Sequence, residues 1–247
     1  MKISIITITF NSESTIEQTI RSVIEQTYKN IEYIIVDGGS TDNTLNVIEK
    51  YKPNIHKIVS ESDNGLYDAL NKGIEMATGD VIGMIHSDDF YIDNNVIQKY
   101  ADCFLKNKSD SVYSDLYYVD KTNADKIIRK WKSGEYKAGS FINGWMPPHP
   151  TFFVKREIYQ KLGKFNIQFK SAADYELMLR FIKKNKISIS YLPEYTVKMR
   201  VGGKSNVSVL NRFKANMEDR KAWEENGLKP RFYTLYLKPL RKILQFF

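Results

Sequence analysis

Four acidic positions in this 247-residue chain sit where carboxylates can do chemistry. Asp37 closes an isoleucine-rich run and precedes Gly38 and Gly39. A carboxylate there can accept hydrogen bonds from a nucleobase or ribose, or it can serve as a turn or cap aspartate. Asp88 and Asp89 close another apolar run. Adjacent acids suit a hard divalent cation bridging a diphosphate, Mg²⁺ or Mn²⁺, which would neutralise a departing phosphate. They would also serve as caps for the helix that follows. Asp174, in Ser171-Ala172-Ala173-Asp174-Tyr175-Glu176, is a candidate general base or a first-turn acid complementing the helix dipole. His149 lies between Pro148 and Pro150, a rigid setting that can aim a polar side chain into a cleft or hold an idle loop histidine. His86 draws notice for its place beside Asp88 rather than for its type.

The elements that must position these groups follow from apolar spacing. Ile3 to Thr9 and Ile31 to Val36 read as buried strands, with short strands at His56 to Val59 and Val81 to Ile85. Between them, Ile16, Ile20, Val23 and Ile24, then Leu45 and Ile48, then Leu66, Leu70 and Ile74, recur at helical spacing, the third helix stopping near Gly79. Such alternation argues for a parallel sheet with helices on both faces, and ligands in open α/β sheets bind beyond the strands' carboxyl ends. The polar clusters fall at those ends: Thr9 to Asn11, Asp37 to Asp42, Glu61 to Asn64 and His86 to Asp89.

Past residue 92 the pattern is less regular. Ser111 to Tyr118 and Lys126 to Trp131 read as a hairpin, Lys132 to Pro150 as a loop over the site, Ala172 to Lys184 as a helix and Ser188 to Leu192 as a late strand. Met199 to Asn206, with Gly202 and Gly203, reads as mobile, and Arg200 within it, like His149, is a candidate acceptor-side residue. The tail from Asn206 reads as helical, interrupted at Asn226 and Gly227.

A net charge of +8 directs the chain toward anionic partners. The excess is concentrated in the tail and not interleaved with a nucleic-acid-binding motif, so no nucleic-acid partner is expected. Cys103 alone permits no internal disulfide, no Cys/His zinc spacing exists, and a reducing compartment follows. Neither a signal peptide nor a bilayer-spanning apolar run is read, which points to the cytoplasm.

In order and spacing these clusters resemble glycosyltransferase family 2, of the GT-A fold, from about Lys2 to about Asn206. The resemblance rests on Thr7-Ile8-Thr9-Phe10-Asn11, on Ser22-Val23-Ile24-Glu25-Gln26-Thr27-Tyr28, and on Ile34-Ile35-Val36-Asp37-Gly38-Gly39-Ser40-Thr41-Asp42-Asn43-Thr44. It continues through Glu61-Ser62-Asp63-Asn64-Gly65-Leu66-Tyr67-Asp68-Ala69-Leu70-Asn71-Lys72-Gly73 and Gly79-Asp80-Val81-Ile82-Gly83. His149-Pro150-Thr151 and Ala172-Ala173-Asp174-Tyr175 resemble bacterial enzymes of polysaccharide and lipopolysaccharide assembly. It implies an α/β GT-A fold, a Rossmann-like mixed sheet with helices on both faces, over residues 1–205. Residues 1–92 would form the nucleotide-sugar half, 93–205 the acceptor half and 206–247 a basic amphipathic helical tail.

The resemblance further implies an inverting transfer from a nucleoside-diphosphate sugar, UDP favoured, to the hydroxyl of a glycan or lipid-linked glycan. Thr9, Asn11, Asp37, Asp63, Asp68, Asn71, Lys72, His86 and Ser87 would bind the donor. Asp88 would bind Mn²⁺ or Mg²⁺, and Asp174 would be the base. Two departures stand out. The first acid of the usual Asp-x-Asp is His86, and the usual Glu-Asp pair is Ala173-Asp174. A non-catalytic nucleotide-sugar-binding protein on the same fold is the alternative. A nucleotidyltransferase is disfavoured, since no glycine-rich, lysine-containing activation loop is found near the N-terminus.

The last segment carries Lys229, Arg231, Lys238, Arg241 and Lys242 and no acid, interleaved with aromatic and aliphatic residues. It reads as an interfacial helix for the inner, anionic face of the cell membrane, or as a helix packed on the domain or in a dimer. Oligomeric state stays open.

Overall fold

The computed structural model describes residues 1–202, 209–243 and 245. Strand β1 (Ile3–Thr9) is buried along its whole length. It pairs in parallel with β2 (Ile31–Asp37) on one side and β4 (Val81–Met84) on the other, and β3 (Lys57–Ser60) adds to β2. Successive side chains of a strand face opposite ways. Ile3 and Ile5 therefore meet α1 (Ile16–Ile24) and α2 (Thr44–Glu49), while Ile6 and Ile8 meet α3 (Leu66–Met76). Helices thus cover both faces, as the isoleucine runs predict. Leu70 and Ile74 of α3 are buried, whereas Leu66 is exposed.

The parallel set stops at β4. Beyond it lie β5 (Asp89–Tyr91), α4 (Val96–Asn107), β6 (Ser111–Val119), β7 (Ile127–Trp131), β8 (Phe153–Lys155) and α5 (Arg156–Leu162). Then come α6 (Ala173–Met178), β9 (Ile189–Arg200), α7 (Val209–Glu225) and α8 (Thr234–Ile243). The mixed sheet runs β3-β2-β1-β4-β8-β6-β9-β5, with β7 on β6. β8 is antiparallel to β4 and reverses the direction. Its Phe153 ring lies so close to β4 that a Cβ on Gly83 would sit 2.3 Å from it.

Three expectations need correction. β9 runs on past Leu192, because a register shift against β6 absorbs Pro193 and Glu194: Ser114 faces Leu192, and Asp115 faces Tyr195. A proline is tolerated in such a bulge. Met199 and Arg200, read as mobile, are the paired end of that strand, and residues 203–206 lie outside the described residues. The predicted helix from Ala172 is α6 followed by a π-helical turn, Leu179–Lys184.

Nor is residue 205 a boundary of packing. Trp223 and Ala222 of α7 are fully buried and Leu235 of α8 nearly so, all in the core that holds Phe141, Tyr175 and Phe181. The Lys132 to Pro150 segment is likewise packed, with Phe141 and Trp145 buried and the Trp145 indole donating to the Ser133 carbonyl at 2.8 Å. Among the described residues no helix is long and apolar enough to cross a membrane.

Candidate active site

Past β4 the chain keeps running beside β1. The Ile85 amide donates to the Ile6 carbonyl at 3.0 Å and the Ser87 amide to the Ile8 carbonyl at 3.2 Å. His86 is thereby held at the carboxyl edge of the sheet. His149 opens a short 3-10 turn whose Thr151 hydroxyl donates to Pro148 and Ser114 carbonyls at 2.9 and 3.1 Å. The two imidazole rings lie 5.3 Å apart, tilted by 41°.

Asp174 enters from the first turn of α6. Its Oδ2 lies 3.7 Å from His149 Nδ1, and its Oδ1 lies 3.5 Å from the Tyr67 hydroxyl of α3. A fifth of the Asp174 side chain and about a quarter of His149 remain exposed, 21% and 27%. The carboxylate therefore borders an opening. Burial pushes its proton affinity above the usual aspartate range, and the positive charge of Lys238 opposes that rise. Burial also pushes both histidines down to about 4; the neighbouring His149 lowers His86 further, and Asp88 and Asp174 partly offset this. At neutral pH both imidazoles are neutral, so the His149–Asp174 contact is not an ion pair. At 3.7 Å it is also too long for a hydrogen bond. The Asp174 Oδ1 also accepts from the Tyr175 amide at 2.8 Å, while its Oδ2 faces His149 at 3.7 Å.

The sequence profile of glycosyl transferase family 2 matches residues 4–164. This chain belongs to glycosyl transferase family 2. Among curated relatives, an uncharacterized glycosyltransferase of Haemophilus influenzae is 33% identical over 218 residues, 86% of this chain and 84% of its own length. The PGL/p-HBAD biosynthesis glycosyltransferase of Mycobacterium bovis is 27% identical over 85% of this chain and 81% of its own. Among solved structures, S. aureus TarS 1-349 in complex with UDP has a TM-score of 0.70 at 20% identity, covering 98% of this chain and 71% of that one. In another structure of S. aureus TarS the match spans 91% of this chain and only 39% of that chain. Mannosyltransferase PcManGT from Pyrobaculum calidifontis, in complex with GDP-Man and Mn²⁺, has a TM-score of 0.69 at 16% identity, covering 96% of this chain and 68% of that one. The fold is that of GT-A enzymes, and the family 2 chain is a glycosyltransferase.

The remaining expected site residues of this family 2 chain divide by what they touch. Asn11 adopts a left-handed conformation, φ 48°, which asparagine tolerates. Its amide donates to the Ser40 hydroxyl at 2.8 Å, and its Oδ1 accepts from the Thr41 amide at 2.9 Å. Asp37 is fully buried, and its carboxylate accepts from the Gly39 and Ser40 amides and the Ser40 and Ser60 hydroxyls. It shapes the loop that follows β2. Asp63 folds over that loop, its Oδ2 only 2.4 Å from where a Gly38 Cβ would stand. Thr9 is buried with no hydrogen-bonded partner for its hydroxyl among the described residues.

Asp68, Asn71 and Lys72 are engaged elsewhere. Asn71 exchanges two 2.9 Å hydrogen bonds with the backbone of Phe165. Lys72 pairs with Glu61 at 2.8 Å and approaches Asp68 at 3.8 Å, and Asp68 accepts from the Asn64 amide. Ser87 shares a 2.8 Å hydrogen bond with Ser12. Arg200 donates to the Asp88 carbonyl at 2.6 Å and to Gln18, and stacks over Phe90 at 4.9 Å. Asp89, next to Asp88, is wholly buried, and among the described residues neither carboxylate oxygen has a partner at full hydrogen-bond geometry. Burial and the neighbouring Asp88 raise its proton affinity well above the usual range.

Sequence reasoning did not single out the groups that hold Asp174. Glu218 of α7 accepts from the amides of Lys170, Ser171 and Ala172 at 2.8 to 3.0 Å and from the Ser171 hydroxyl at 2.8 Å. Trp223 donates to the Tyr175 hydroxyl at 3.0 Å. The Lys238 ammonium sits 3.6 Å over the Tyr175 ring and donates to Asp219 at 2.6 Å. None of these has a local sequence signal, because Glu218, Trp223 and Lys238 reach α6 and the turn before it from dozens of positions away. Tyr67 did have one: it stands inside the Asn64 to Asp68 motif.

Proposed function

We propose that the chain catalyses an inverting transfer of a sugar from a nucleoside diphosphate, UDP favoured, to the hydroxyl of a glycan or lipid-linked glycan in cell-surface polysaccharide synthesis. The observation that carries this is Asp174, a carboxylate with raised proton affinity bordering an opening beside His149 and Tyr67. The acceptor oxygen attacks the anomeric carbon while its proton passes to Asp174. The bond from that carbon to the diphosphate breaks on the opposite side, and the nucleoside diphosphate leaves, so configuration inverts. Neutral His86 and His149 add no charge to compete with the base. The Asn11, Asp37, Ser40 and Asp63 loop faces the donor's nucleoside, a reading supported by the fold shared with TarS, whose structure holds UDP.

A divalent cation belongs to this reading. Among the described residues no three His, Cys, Asp or Glu side chains are placed to hold one. The donor set fits Mg²⁺ or Mn²⁺ only as Asp88 plus phosphate oxygens of the donor, an ordinary arrangement for such ions. When bound, the cation would neutralise charge on the departing diphosphate. The Mn²⁺ in PcManGT supports this. The enzyme would work at the inner face of the cell membrane, where lipid-linked acceptors are found.

The test is calorimetry and turnover with UDP-, GDP- and dTDP-sugars, with and without Mn²⁺. Metal-dependent binding of one nucleotide class and a product of inverted configuration support the reading. Retained configuration rejects the displacement, and nucleotide binding without turnover leaves the non-catalytic alternative.

A further inference from the structure

α8 has two faces with opposite fates. The inward one is spent on the protein. Thr234 is buried and donates to the Ile142 carbonyl at 2.7 Å, Leu235 is buried, and Lys238 reaches Asp219 and the Tyr175 ring. The Lys238 backbone lies so close to Gly144, at φ 73°, that a Cβ there would be 2.4 Å away. The outward one carries Tyr236 and Leu240, 67% and 53% exposed, and Phe232, in the turn just before the helix, is 87% exposed. Tyr236 and Leu240, one helical turn apart, share a side of α8, and Phe232 stands exposed at its N-terminal end. Lys229, Arg231 and Arg241 are exposed around these three side chains, and no Asp or Glu occurs after Glu225.

We propose that this outward patch of Phe232, Tyr236 and Leu240, ringed by Lys229, Arg231 and Arg241, docks the protein on an anionic lipid surface. The proposal rests on the lipid-linked acceptor of the preceding section and names the surface that would present it. The sign of the charge selects the partner. In a two-fold dimer through this patch, basic residues would face basic residues. An anionic membrane satisfies them, with the aromatic and aliphatic side chains entering the headgroup layer. The inward contacts hold the patch rigid, so little ordering cost is added on docking. They also set α8 one side-chain layer from the base, through Lys238 and Tyr175 to Asp174.

The test is cosedimentation of the full chain with vesicles of phosphatidylcholine alone and of phosphatidylcholine mixed with phosphatidylglycerol. The expected result is binding to the mixed vesicles, weakened by salt, and little binding to the neutral ones. Lys229→Gln/Arg231→Gln/Arg241→Gln should weaken binding by about a hundredfold, from the worth of each charge near such a surface. Phe232→Ser/Tyr236→Ser/Leu240→Ser should weaken it as well. Both variants change exposed side chains, so melting temperature and UDP binding should stay as in the parent chain. Equal binding to both vesicle types, or binding unchanged in both variants, overturns the proposal. So does a dimer that forms without lipid and is lost in the apolar variant. Vesicle binding needs no turnover, so failure of Asp174 as base would leave this result readable, and failure to bind would leave turnover on a soluble acceptor readable.

Discussion

The Nδ1 of His149 and the Oδ2 of Asp174 stand 3.7 Å apart, a separation that neither a hydrogen bond nor an ion pair accounts for once the imidazole is neutral. With Oδ1 held by the Tyr175 amide at 2.8 Å, the Oδ2 side of the carboxylate is the one able to accept a proton from a third group. Asp174→Asn should therefore lower kcat by about 10²- to 10⁴-fold, the usual worth of a general base. Donor affinity, read by calorimetry, should change little. A variant with near-parental kcat would remove Asp174 from the chemistry.

The pH profile should carry the same residue. Burial raises the proton affinity of Asp174, and the base must be ionised to act. Turnover should therefore fall, as pH is lowered, at a pH above the ordinary aspartate range. Lys238 opposes the rise, so Lys238→Gln should move the acid limb of kcat to higher pH. An acid limb at the same pH in both proteins would show that Lys238 is not felt at the base.

Glu218 anchors the three backbone amides that lead into α6. Glu218→Ala leaves them without their carboxylate and should cost about 1–3 kcal/mol of stability. Because Asp174 follows two residues after Ala172, kcat should also fall while UDP affinity holds. Chemical denaturation and calorimetry on one preparation check both. Loss of UDP affinity in step with kcat would instead mean general unfolding.

Glu32 offers a stability test far from the site. Burial alone would raise its proton affinity, but hydrogen bonds from Ser4, Thr78 and Lys2 lower its pKa from 4.5 to about 2. Its stabilisation is thus present above about 4.5 and is lost as pH falls toward about 2. The difference corresponds to about 3 kcal/mol. Glu32→Gln should destabilise the chain at neutral pH and flatten the decline of stability over that acid window. Denaturant midpoints measured across the window decide it.

The first ninety residues were legible because isoleucine-rich runs alternate with helices and put their polar residues at the strand ends. β8 was not. It is three residues long, and Val154 finds Ile82 across a sequence gap no local pattern spans. Pro193 hid the continuation of β9, since a proline signals a strand end unless a bulge receives it. At the site, His86, His149 and Asp174 could each be singled out by type and flanking residues, but their convergence could not. Asn71 and Lys72 were singled out by motif and proved to be bound to Phe165 and Glu61. The support of Asp174 from Glu218, Trp223 and Lys238 depends on tertiary packing and has no periodicity to read.

That support also orders events during synthesis. β1 to β4 can pair with one another as soon as the first ninety residues emerge, because the partners of β1 and β2 lie within that stretch, and β8 joins β4 later. The turn before Asp174 has to wait for Glu218, and Tyr175 for Trp223 and Lys238. A nascent chain still tethered near its carboxyl end is therefore a formed parallel sheet with the turn before Asp174 not yet set. The surroundings of Asp174 are completed late on the ribosome, after the sheet is already built.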